Sequence, residues 1–146
     1  MGERRRPSAN VQRARTLLVG SAIGGHVAAL VCVVAFLVAR GPAAAAWSAL
    51  AAVVVLAFNI VGQGVQVAVA DAPAKTVFVA AMASYLLRVT LLGLLLQVVM
   101  ANADRFLAFD APALVVTTIA VVVVWLGTEF WVYSRLRIPV YDDPDA

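Results

Sequence analysis

The stretch TLLVGSAIGGHVAALVCVVAFLVA, residues 16–39, runs for 24 residues without a charged side chain. A helix needs roughly 20 mostly apolar residues to cross the hydrocarbon core of a bilayer, so this one segment is long enough to span. Three further runs repeat the pattern. Residues 41–70 hold no charge, residues 76–103 hold only Arg88, and residues 111–134 hold only Glu129. Four such runs within 146 residues leave no length for a soluble domain, and the whole chain is 64% hydrophobic and 13% charged. Soluble domains are closer to half apolar and a quarter charged. The expected fold class is therefore all-α: an integral membrane four-helix bundle with antiparallel neighbours.

The punctuation between the runs sets the boundaries. Pro42, Pro73 and Pro112 each fall just before or at the start of a run, where a missing backbone N–H costs little. The pattern predicts helices over about 16–39, 46–70, 76–101 and 113–134. Together they make one transmembrane domain, residues 16–134, between a basic tail (1–15) and a short tail (135–146). Val121 to Val124 are β-branched, yet an isolated span in lipid can satisfy its backbone only as a helix. A cleavable signal peptide is the rival reading of the first run, but its 24 residues exceed the usual 7–15-residue apolar region. Cys32 is the single cysteine, so no intramolecular disulfide can form.

Orientation follows from the loop cations. With the N-terminus inside, the cytoplasmic parts carry Arg4, Arg5, Arg6, Arg13, Arg15, Lys75, Arg135 and Arg137, and the outer turns carry Arg40 and Arg105. Eight against two predicts both termini in the cytoplasm. Trp131, Tyr133 and Tyr141 would then form the inner aromatic belt, with Trp47 in the outer one. The basic N-terminus reads as a contact for anionic lipid headgroups, not for nucleic acid.

Ionisable groups inside spans are costly and tend to face the bundle interior. Arg88 lies about 12 residues, roughly 18 Å of rise, from the cytoplasmic start of helix 3. Glu129 sits about 7 Å inside the same boundary on helix 4, and an Arg88–Glu129 pair is geometrically reasonable. Asn59, Gln63 and Gln66 stand at i, i+4 and i+7 on helix 2, within one arc, and His26 has a similar depth on helix 1. The candidate intramembrane polar cluster is thus Arg88, Glu129, Asn59, Gln63, Gln66 and His26, opening toward the cytoplasm. The plainer reading is that these groups hold helices together through interhelical hydrogen bonds, each contributing around 1 kcal/mol. Gly20 and Gly24 form a G-x-x-x-G spacing, and Gly62 with Gly64 thins helix 2. No catalytic residues, cofactor or metal ligands are expected. One His and one Glu make too few ligands, and no G-x-S-x-G, H-E-x-x-H or phosphate-binding loop occurs.

Three local features carry a resemblance. Helix 2 holds an Asn in a glycine-containing apolar stretch, FNIVGQG (58–64). Helix 3 holds a basic residue before an aliphatic-glycine run, YLLRVTLLGLLL (85–96). A Phe-containing outer loop precedes helix 4, which ends in WVYSRLRIPVYDDPDA (131–146). In this layout the chain resembles ATP synthase protein I in its actinobacterial form, a small four-helix protein of bacterial F-type ATP synthases. The resemblance implies a bacterial plasma-membrane protein and a non-catalytic accessory or assembly factor for the rotor ring. Its implied partners are the lipid bilayer and the synthase membrane subunits. A magnesium-supply role has also been proposed for the family. Arg88 corresponds to the family's basic position in helix 3, whereas Glu129 has no counterpart role and the Gln-rich face of helix 2 departs from the pattern. The alternative is a small proton or magnesium transporter or channel subunit. Four helices enclose little room for a pore, so that reading calls for a homo-oligomer.

Overall fold

A computed structural model describes residues 8–136. The expectations placed on Arg4, Arg5, Arg6, Arg137 and Tyr141 lie outside the described residues. The described chain forms four long helices: α1 (Ala9–Arg40), α2 (Pro42–Ala68), α3 (Ala74–Ala101) and α4 (Ala111–Arg135). A single 3-10 turn, Ala103–Arg105, follows α3, and no strand occurs among the described residues. All four helices are long and apolar enough to cross a membrane. Even α4, with 25 residues, rises about 37 Å against a hydrocarbon core of about 30 Å.

Three of the differences between these helix limits and the sequence expectation have a local reason. α1 begins at Ala9 rather than near residue 16, because Ser8 caps it by accepting from the Val11 N–H at 3.2 Å. Arg13 and Arg15 are compatible with a helix that continues beyond the apolar stretch. α2 begins at Pro42, which supplies a helical φ without needing a donor. One residue, Gly41, separates α1 from α2, and its φ of 89° is a conformation glycine adopts without steric cost. α4 begins at Ala111 because Asp110 accepts from the Ala113 N–H at 2.9 Å.

Small and aromatic side chains make the core. Ala28 and Ala29 of α1, Ala52, Val55 and Leu56 of α2, and Val121 and Trp125 of α4 form one buried cluster. Small residues let helix backbones approach closely where the surrounding solvent is lipid. The buried glycine and hydroxyl positions do the same: a Cβ on Gly25 would sit 2.8 Å from both Trp125 Cε3 and Leu56 Cδ2. Gly20 and Gly24 both face α4, against Val132 and Thr128 respectively, while Gly64 has no neighbour within 4 Å. Ser48 and Thr117 share a 2.7 Å hydroxyl hydrogen bond in the interior between α2 and α4. Large apolar side chains such as Leu30, Val38, Phe78, Leu86 and Phe130 point outward. This polarity, small and polar within and bulky aliphatic without, suits a hydrocarbon surrounding.

α3 stands apart. It contributes no buried residue and packs to a substantial extent on α2 alone. At one end of the bundle, Arg40 Nε and Asp110 Oδ2 lie 2.8 Å apart. Beside them, Trp47 meets Phe106 and Phe109 edge-on at 5.3 and 4.8 Å and donates to Ala108 O at 3.1 Å. At the other end, Ser8 donates to the Asp71 carboxylate in the α2–α3 turn.

Candidate functional site

Because α3 leans on α2 without closing on α4, the seam among these three helices is hollow. A cavity of about 420 Å³ opens there. Arg88, Asn59, Gln66 and Glu129 line it, together with Tyr85 and Tyr133. Four of the six residues expected in the polar cluster therefore meet in one place.

Arg88 is held by its planar guanidinium. Nε donates to Ser84 O one turn back at 3.2 Å, and Nη1 donates to Asn59 Oδ1 at 3.3 Å. Asn59 is oriented for this role because its Nδ2 donates to Val55 O at 3.0 Å, which leaves Oδ1 to face α3. The guanidinium can lie against α2 because position 62 is glycine. A Cβ there would come within 2.6 Å of Arg88 Cδ and Cζ. Ser84 Oγ adds a 3.3 Å bond to Gly62 O, so the α2–α3 contact is built around this arginine.

Glu129 faces the cavity from α4. Nearby, Gln63 Nε2 and Trp125 Nε1 have no hydrogen-bond partner among the described residues. Both side chains are buried, and an unmet buried donor typically costs about 1–3 kcal/mol. The expected Arg88–Glu129 pair is not closed. The two groups line the same cavity and sense each other's charge. Among the described residues, however, the one ion pair within 4.0 Å is Arg40–Asp110. The cavity separates opposite charges that face each other.

Gln63 is buried behind the cavity wall instead of lining it. His26 is not part of the cluster. It lies exposed on α1, and its ring Nδ1 donates to Ala22 O at 2.7 Å. Sequence reasoning missed Tyr85, Ser84, Trp125 and Tyr133. Each stands three or four residues from Arg88 or Glu129 on its own helix, the spacing that brings side chains onto one face. A second cavity of about 140 Å³, almost wholly apolar, lies farther along the seam, and Leu92 is a wall of both. Compared with protein-family models, with characterised proteins and with solved structures, the chain matches none.

Proposed function

We propose that this protein is a multi-pass protein of the bacterial plasma membrane, with both termini cytoplasmic and sequential helices antiparallel. Contacts of Ser84 with Gly62 and of Arg88 with Asn59, which run α3 against α2, support the antiparallel reading. The uneven partition of Lys and Arg supports the orientation. Within that membrane the chain acts as a non-catalytic accessory or assembly factor for the rotor ring of the F-type ATP synthase. The observation that carries the helper role is α3, a full-length apolar helix with no buried residue, offered laterally to another membrane protein. The identity of the partner rests on the sequence resemblance.

The test is site-specific photo-crosslinking in the native membrane. A crosslinker at Leu86 on α3 is expected to capture a synthase membrane subunit, and one at Val38 on α1 is not. Deletion of the protein is expected to reduce rotor-ring yield and membrane ATP hydrolysis. Unchanged ring yield, with no synthase adduct from Leu86, would sink the proposal. Adducts between two copies of the chain would instead place a homo-oligomer on that face.

A second reading draws on the cavity: Arg88, Glu129, Asn59 and Gln66 could serve an ion path in a small carrier or channel subunit. It requires proton or magnesium flux in proteoliposomes that Glu129→Gln or Gln63→Leu reduces. Flux equal to that of empty liposomes removes it.

A further inference from the structure

The seam among α2, α3 and α4 has the chemistry of an amphiphile site. At one end a guanidinium and a carboxylate face each other across open space without touching. Two of the five guanidinium N–H donors are used by Ser84 O and Asn59 Oδ1; among the described residues no acceptor takes the others. Opposite, Glu129 lines the cavity from α4. Among the described residues neither Arg88 nor Glu129 has an ionic partner within 4.0 Å, and a dipolar group would supply one to each, its negative end on Arg88 and its positive end on Glu129. Leu92 also walls the second cavity, whose other walls include Leu95, Leu96 and Val99 of α3 and Val54 of α2. That part can take only hydrocarbon. The weak closure of α3 on α4 leaves the seam accessible from the side.

We propose that this seam binds a zwitterionic phospholipid whose head pairs a phosphate with a primary ammonium, the phosphate on Arg88, the ammonium on Glu129 and part of an acyl chain along Leu92 to Val99. A planar guanidinium suits phosphate oxygens, and an ammonium supplies the three donors that a carboxylate accepts. Exclusion of water strengthens both contacts. The apolar extension favours a lipid over a soluble zwitterion of the same head chemistry. The inference rests on the membrane reading and not on any protein partner.

The experiment uses the full chain in detergent micelles, with retained lipid counted by native mass spectrometry and stability followed by thermal unfolding. The probes are phosphatidylethanolamine, phosphatidylcholine, phosphatidylglycerol and soluble phosphoethanolamine. Phosphatidylethanolamine is expected to be retained and to raise the melting temperature most, with phosphoethanolamine alone ineffective. Arg88→Gln and Glu129→Gln should each weaken retention at least about tenfold, as loss of one partner of a buried charge contact does. Leu92→Trp, which leaves both charged groups in place, should block the acyl channel and weaken retention as well. If a head-group variant fails to fold, the Leu92→Trp comparison and the lipid ranking still decide. Equal stabilisation by all three lipids overturns the proposal, as does retention indifferent to these variants. An effect of phosphoethanolamine equal to that of the lipid also overturns it. A chain that stays monodisperse without detergent fails the membrane reading itself, a separate result.

Discussion

Replacing Gly25 with alanine tests whether the α1–α2–α4 core is packed as described. The added Cβ would lie 2.8 Å from Trp125 Cε3 and 2.8 Å from Leu56 Cδ2, well inside ordinary carbon contact. Trp125 is completely buried and cannot swing away, so Leu56 or the helix axis must move. Overpacking of this kind costs about 1–3 kcal/mol. Alanine's better helix propensity offsets up to about 1 kcal/mol of it. With that offset in full the expected net loss is about 0–2 kcal/mol, a fall of up to roughly 8 °C in melting temperature for a chain of this size. Gly93→Ala on α3 is the control, because its Cβ would meet nothing within 4 Å, and it should be neutral or mildly stabilising. A double-mutant cycle sharpens the test. Leu56→Ala should cost less in the Gly25→Ala background than alone, since it vacates space the new methyl needs. The assay is thermal unfolding in one fixed detergent. Equal melting temperatures for Gly25→Ala and Gly93→Ala would refute the packing argument.

Three other outcomes are expected from the same assay. Ser48→Ala should lose about 1–3 kcal/mol by stranding the Thr117 hydroxyl, while Ser48→Ala with Thr117→Val should be milder, since replacing both partners removes the unmet group. Asp110→Ala should cost more than Asp110→Asn, because Asn keeps the cap, worth about 1 kcal/mol, and loses only the charge contact with Arg40. Asp110 is held below its ordinary range first by the Ala113 N–H and then by Arg40. Its contribution should therefore be complete above about pH 3.9 and fade as pH falls through the lower folded value, narrowing the gap to Asp110→Asn. Finally, Arg88→Leu combined with Glu129→Gln should show a coupling under about 1 kcal/mol in the empty protein, because the groups do not touch. A coupling in the range of about 3–5 kcal/mol, typical of a broken buried pair, would mean that they do.

The spans were legible because charge is costly in lipid: Arg40, Asp71, Lys75, Asp104 and Asp110 mark the breaks as plainly as any turn motif. The true start of α1 was not, since hydropathy measures the lipid-facing length and Arg13 and Arg15 can sit in a helix that extends into water. Asn59, Gln66, Arg88 and Glu129 could be placed at similar depth from sequence, and they do meet. Depth says nothing about rotation, however. His26 shares the depth and points outward, and Gln63 shares the face yet lies behind the cavity wall. The Ser48–Thr117 bond depends on how their helices turn two side chains 69 residues apart in sequence toward each other. No spacing rule carries that.

The single residue between α1 and α2 has a consequence for biogenesis. Two helices joined through Gly41 alone have no loop between them, so on the proposed membrane reading they are expected to insert together as a hairpin. With both termini cytoplasmic, as proposed above, the tip of that hairpin carries Arg40 outward, while its counter-ion, Asp110, belongs to a segment translated 70 residues later. Until α4 arrives, the hairpin holds an uncompensated cation at its leading end. Arrival of α4 supplies the carboxylate and seals Trp47 beneath the loop, so a helix made after the first two latches them.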